Sequence, residues 1–377
     1  MSSLKKQEKI ERKGVCLNPL SNIHYIDHLA VISIIMGTPI IFLEPNDYEI
    51  GTHYYPQINP LLVDFHELSP EYLIASYDVL FFSDLWDKVT FHEKYKQLEM
   101  KYGKTLRHVH CPHGFSDKGF YLKKCANEDI ALIYGQNMLD LLKHEGVLNK
   151  LTNYVISGNY RYTYFKQHRQ FFDEIIKTEV LPRFVKQQPI ILYAPTWLDM
   201  LQSTTFFECF EDVLGNLPDS YNMIIKLHPH LELDDAGLYY KIMGQFEKKP
   251  NVLFLKDFPL VYPLLALADI YLGDTSSVGY DFLSFNKPMF FLNKRRANPM
   301  SERDLYLFRC GVDVKPEAFP LLYQLIENNL QNDQERFGKI RAEVYEYTFG
   351  PERPFADIKA DIIAAYNKPL DLTHARP

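Results

Sequence analysis

Short continuous apolar runs alternate with segments of helical period along most of this 377-residue chain, and that alternation decides the fold class. Runs such as NMIIKL and PMFFL are apolar at every position rather than at every second one. Parallel strands covered on both faces read this way. The alternation occurs twice. In the first series Gly14–Asn18 is a strand, and IHYIDHLAVISIIMG is a buried helix closed by Gly37. TPIIFLEP and YDVLFFSD follow as strands, then the amphipathic helix FHEKYKQLEMKYG and the strand TLRHVHCPHG. ALIYG, QNMLDLLKHEG and NYVISGN continue the pattern, and RYTYFKQHRQFFDEIIKTEVLPRF is expected to be one long helix ending near Pro182.

The polar patch VKQQP marks a linker, after which PIILYAPTW, YNMIIKLHPH, NVLFLKDF and LADIYLG are strands separated by helices. The expectation is therefore an α/β protein of two doubly wound, Rossmann-like domains facing a cleft. Their expected limits are 14–184 and 185–350. Residues 1–13 are expected to be a flexible basic tail, and 351–377 a helical segment packing back on the first domain.

Composition removes several functions. A net charge of -7 argues against a nucleic-acid binder, whose footprint is basic, yet leaves room for a local anion pocket. The five cysteines are odd in number, widely spaced and without a CxxC pair, as expected of reduced thiols in a cytoplasmic protein. No apolar run reaches the roughly 18 residues a spanning helix needs, and MSSLKKQEKIERK lacks the apolar core of a signal peptide. Its five basic residues against two acidic ones make a solvated tail, with contact to an anionic membrane surface as the alternative.

The segment LGDTSSVGYDFLSFNKPMFFLN, Leu272 to Asn293, reads as strand, hydroxyl-rich turn, helix and strand. Such a turn offers N–H groups and hydroxyls to a phosphate; the structural alternative is that Thr275, Ser276 and Ser277 only cap the helix. Three further polar clusters follow strands: HCPHGFSDKG (His110 to Gly119), YAPTW (Tyr193 to Trp197) and KLHPH (Lys226 to His230). Open parallel sheets bind ligands beyond the carboxyl ends of their strands, so four such clusters point to one shared cleft. Taken singly, each has a plain explanation in loop shape or strand termination.

Together these segments resemble the CDP-glycerol glycerophosphotransferase family, the teichoic-acid primases and polymerases of the GT-B fold. The resemblance rests on His113-Gly114, on Tyr193 to Trp197, on Lys226 to Pro229, and on Asp274-Thr275-Ser276-Ser277 through Asp281-Phe282 to Lys287-Pro288. It covers roughly residues 105 to 295. Two departures stand out: FSDKG follows His113 where the family often has TPLK, and Leu198 takes the place of a frequent arginine.

The resemblance implies transfer of a glycerol-phosphate or similar polyol-phosphate group from a CDP-activated donor to a glycan or lipid-linked acceptor hydroxyl, with CMP released. The setting it implies is cytoplasmic, with possible peripheral contact at the inner membrane face. Such transfer is mostly positioning and charge neutralisation. His113 is the expected base and His228 the expected stabiliser of the departing phosphate, although the two roles are exchangeable at this level. Thr196, Lys226, Asp274, Thr275, Ser276, Ser277 and Asp281 are expected on the nucleotide and phosphate side. Gly114, Ser116 and Lys118 are expected on the acceptor or phosphate side. His110 and His230 are read as structural, and Asp281 as either a hydroxyl ligand or a packing partner. No metal cage and no cofactor are expected. The alternatives are a GT-B sugar-nucleotide glycosyltransferase, a non-hydrolysing sugar-nucleotide epimerase, and a GT-B binding protein without catalysis.

Overall fold

The structure is a computed structural model that describes residues 12–18, 23–83 and 87–368, without the side chains of 87–92, 124 and 127. Most of the expected basic tail, and the chain beyond residue 368, lie outside the described residues.

Seven strands form the first sheet: β1 (Gly14–Asn18), β2 (Pro39–Phe42), β3 (Asn59–Leu62), β4 (Val79–Phe82), β5 (Arg107–His110), β6 (Ile130–Ile133) and β7 (Tyr154–Ile156). All pair in parallel, in the order β3-β2-β1-β4-β5-β6-β7. Six more form a second parallel sheet: β8 (Ile190–Ala194), β9 (Asn222–Ile225), β10 (Val252–Phe254), β11 (Ile270–Gly273), β12 (Met289–Leu292) and β13 (Val312–Val314), in the order β10-β9-β8-β11-β12-β13. Strand order reverses between β1 and β4 and again between β8 and β11, which places a ligand crevice at each of these points.

Helices cover both sheets. Around the first lie α1 (Ile23–Met36), α2 (Pro45–Tyr54), α3 (Pro70–Ser76), α4 (Asp87–Tyr102), α5 (Gln136–His144), α6 (Tyr160–Gln167) and α7 (Arg169–Ile175). With the second come α8 (Phe206–Phe210), α9 (His230–Asp234), α10 (Ala236–Phe246), α11 (Tyr262–Leu267), α12 (Val278–Phe282) and α13 (Leu322–Leu330). The chain then returns through α14 (Asp333–Phe349) and α15 (Phe355–Asn367), which touch α5 and β7 of the first sheet.

The central strands are buried throughout, which explains their unbroken apolar runs. One apolar cluster runs from Ile26 and Leu29 on α1 through Phe165 on α6 to Leu264 on α11 and Phe282 on α12, so the two units share a core. Gly37 closes α1 at φ +68, as the sequence led us to expect.

Two expectations are corrected. The helix expected over 161–184 is not continuous: α6 ends at Gln167, and His168 leaves the helical region at φ -114, ψ 24. Beyond α7 the chain passes into a π turn and a short 3-10 turn around Pro182. The second correction concerns α2, β3 and α3, which the alternation did not reveal. β3 is NPLL, an edge strand that carries a proline and is only partly buried, so its apolar signal is weak.

Candidate functional site

A cavity of about 290 Å³ opens between the carboxyl ends of the two sheets. His113, Gly114, Ser116 and Lys118 reach it from the loop after β5. Thr196, Lys226, His228, Thr275, Ser276, Ser277 and Asp281 reach it from the second unit. The HG loop is pinned from below, because Tyr134 Oη donates to the Pro112 carbonyl and accepts from the Gly114 amide. Gly114 has φ +112, and a Cβ there would stand 2.6 Å from Ser277 Oγ. Only glycine lets the first unit approach the hydroxyl turn of the second so closely.

The two expected imidazoles are held in complementary states. His113 Nδ1 lies 3.2 Å from the Ser83 carbonyl, which can only accept, so Nδ1 carries the hydrogen and Nε2 is the lone-pair nitrogen of the neutral ring. At His228 the reverse holds: Nδ1 accepts from the His230 amide at 3.2 Å, so Nε2 of the neutral ring carries the hydrogen. Burial, reinforced by His24, His230, His113 and Lys118, lowers the His228 pKa well below the usual histidine value and keeps the ring neutral. His113 is open to the cleft.

His24, from the first turn of α1, lies between them, with ring centroids 6.0 Å from His113 and 5.4 Å from His228. His28, one turn on, lies 6.4 Å from His113. Burial is the first cause of a strongly lowered pKa at both His24 and His28. Neither residue was singled out in the sequence, although two histidines and Asp27 in an otherwise apolar helix were the available signal. His110 is buried beneath the site with its pKa lowered by burial to about 3, and His230 packs edge-on against Trp197.

Cations are anchored before any ligand arrives. Lys118 Nζ lies 2.5 Å from Thr196 Oγ1 and 2.8 Å from Asp199 Oδ2, crossing between the units. Burial pushes the Asp199 pKa up, but Lys118 and the Ser203 hydrogen bonds outweigh it and leave it below the ordinary value. Lys226 donates to the Phe258 carbonyl at 2.6 Å, and burial lowers its pKa to about 8. The FSDKG departure also has a structural use. Buried Asp117 accepts from Tyr280, Arg303 and the Leu307 amide, all of the second unit.

Three site expectations need correction. Asp274 does not line the cleft. One oxygen accepts from the Thr196 amide and the other from Thr205, so it shapes the loops that carry Thr196. Asp281 lines the cleft, but its oxygens are taken by Arg161 and Tyr262, which favours the packing alternative. The third concerns the helix after the serines: α12 has five residues, so its dipole is weaker than a full helix supplies. The hydroxyls do not cap it through side-chain bonds, and Thr275 Oγ1 is buried without a partner.

Arg161 was also missed. It bonds Asp27 on α1 at 2.7 Å and Asp281 on α12 at 2.6 Å, fixing both units against α6. Among the described residues, no group of three or more His, Cys, Asp or Glu is arranged to hold a metal. No helix there is long and apolar enough to cross a membrane.

Comparison with known proteins bears on residues 161–318, which match the family described as CDP-Glycerol:Poly(glycerophosphate) glycerophosphotransferase. The teichoic acid poly(ribitol-phosphate) polymerase of Bacillus spizizenii is 29% identical over 146 residues, 36% of this chain and 22% of that relative. The teichoic acid glycerol-phosphate primase of Bacillus subtilis is 32% identical over 110 residues, 28% of this chain and 26% of that relative. The match thus spans about a quarter of the length of these curated relatives. Among solved structures, the wall teichoic acid polymerase TagF superposes with a TM-score of 0.59 at 13% identity, covering 97% of this chain and 90% of that one. S. aureus MnaA with UDP gives 0.60 at 12% identity, covering 94% and 95%. These likenesses establish the GT-B fold.

Proposed function

We propose, from the match of residues 161–318 to the CDP-glycerol:poly(glycerophosphate) glycerophosphotransferase family, that this chain is a transferase acting in cell-surface glycopolymer synthesis. It moves a glycerol-phosphate, or similar polyol-phosphate, group from a CDP-activated donor to an acceptor hydroxyl and releases CMP. The observation that carries this reading is the complementary pair of imidazoles, His113 from one unit and His228 from the other, lining one cleft.

The donor pyrophosphate lies against Thr275, Ser276 and Ser277, with Lys118 and Lys226 supplying positive charge. The acceptor oxygen attacks the phosphorus that bears the polyol, and its proton passes to Nε2 of His113. As the new O–P bond forms, the bond from that phosphorus to the CMP oxygen breaks, and the electron pair stays on the nucleotide phosphate. His228, fixed as an Nε2–H donor, hydrogen-bonds the charge that develops there. These tautomers support His113 as the base and His228 as the donor to the departing phosphate. Five buried free thiols support a cytoplasmic setting.

The test is acceptor-dependent release of CMP from CDP-glycerol, run beside a panel of UDP-, GDP- and CMP-sugars. The expected result is turnover of the CDP-polyol alone. In His113→Ala it falls roughly 100- to 10,000-fold, the range for a lost general base, while CMP still binds. Unchanged turnover in both His113→Ala and His228→Ala, or turnover of a sugar nucleotide instead, overturns the proposal.

A further inference from the structure

We propose that the carboxyl end of the first sheet holds a subsite for an uncharged polyol, built from Asn18, His24, His28 and Ser83, which receives the hydroxyl-bearing end of the acceptor. The inference rests on the transfer reaction above and names the chemistry of its second substrate.

His24 and His28 stand four residues apart, on one face of α1. They flank His113, their ring planes lying 83° and 89° from its own. Nδ1 of each is buried without a hydrogen-bond partner. Asn18 ends β1, and Ser83 follows β4, one step beyond the paired Leu17 and Phe82. They therefore sit side by side where the strand order reverses. Both amide atoms of Asn18 and the hydroxyl of Ser83 are also buried without partners. The Ser83 carbonyl fixes His113, which ties this group of residues to the proposed base.

Buried polar atoms in folded proteins are overwhelmingly paired, and each exception costs stability. His24 and His28 line the cleft, while Asn18 and Ser83 lie buried at the ends of β1 and β4; the five exceptions are explained if a ligand reaching past the two rings supplies the missing partners. The nature of the groups says which ligand. Amide, hydroxyl and neutral imidazole all both donate and accept, as a hydroxyl does. An anion would instead call for an uncommitted cation. Arg161, which acts on His28, is neutralised by Asp27 and Asp281. The other charged or titratable groups acting on this pair are His113, His230 and Lys226, and in the transfer proposed above the charge of Lys226 is assigned to the donor pyrophosphate.

Saturation-transfer NMR on the full chain with CMP present tests the subsite, using glycerol, ribitol, methyl glycosides and sn-glycerol 3-phosphate as probes. At least one neutral polyol or glycoside is expected to bind. In His28→Leu its affinity falls at least tenfold, CMP affinity stays within twofold, and the melting temperature is equal to or above that of the wild type. A residue held only for packing would not lose ligand while gaining stability. If His28→Leu fails to fold, Ser83→Ala takes its place, with the same expected loss. Failure of every neutral probe in a protein that binds CMP, binding of the phosphate probe alone, or an unaltered variant each overturns the subsite without touching the donor reading. Polyol binding lost in the variant, in a protein that binds neither CMP nor CDP-glycerol, upholds the subsite and overturns the donor reading.

Discussion

Replacing Arg161 by methionine probes the ionic join between the two units. Its side chain is 2% exposed and lies between Asp27 and Asp281, themselves 4% and 5% exposed. The substitution keeps the aliphatic bulk and leaves two buried carboxylates facing each other without a counter-ion. Neither can remain charged cheaply, so at least one takes a proton on folding. From an ordinary aspartate pKa of about 3.9, that neutralisation at pH 7 costs about 4 kcal/mol, and at pH 5.5 about 2 kcal/mol. The first figure agrees with the roughly 3–5 kcal/mol found when one partner of a buried pair is removed. Denaturant unfolding of wild type and variant at both pH values, compared at each pH, isolates the effect from other titrating groups. The variant should be about 4 kcal/mol less stable at pH 7 and recover about half of that at pH 5.5. Adding Asp27→Asn and Asp281→Asn should restore most of the loss. A loss below about 1 kcal/mol, or one indifferent to pH, would refute the reasoning.

The remaining predictions are brief. His28 and His110 are buried with lowered pKa values, so the unfolded chain takes up their protons first. Their contribution holds above about pH 6.5 and is lost as pH falls below it. Between pH 7.5 and 5.5 the pair should contribute about 2.7 kcal/mol of destabilisation, so the fall in melting temperature by calorimetry should be roughly 3 °C smaller in a variant with both replaced by leucine than in the wild type. Gly114→Ala meets both a positive φ and Ser277 Oγ, and should lower CMP release at least tenfold with a stability loss of roughly 1–3 kcal/mol. Lys226, with its pKa lowered to about 8, should hold phosphate less well once deprotonated, so CDP affinity by titration calorimetry should weaken as pH rises above 8.

The central strands were legible because burial on both faces leaves no polar positions, and β8, β9, β11 and β12 stand where the apolar runs fall. The edge strand β3 was hidden because one side of it meets solvent. Most of the expected site residues do line one cleft, since strand ends of a parallel sheet gather their loops whatever the loops contain. What the sequence concealed was pairing at a distance. Arg161 and Asp27 are 134 positions apart, and nothing local marks either as half of a salt bridge. Asp274 was misplaced for the same reason: its partners, Thr196 and Thr205, are fixed only once β8 and β11 lie side by side. The histidines of α1 were overlooked because a helix that is apolar almost all round looks finished as core.

The carbonyl that grips His113 has a consequence for the rhythm of turnover. With one nitrogen permanently occupied by Ser83, the hydrogen gained in the proposed reaction can depart only from the nitrogen that received it, the atom facing the newly made ester. Water must therefore reach a spot the lengthened product has just filled. In the proposed reaction the base is recharged only after the product has left, which couples proton discharge to product release.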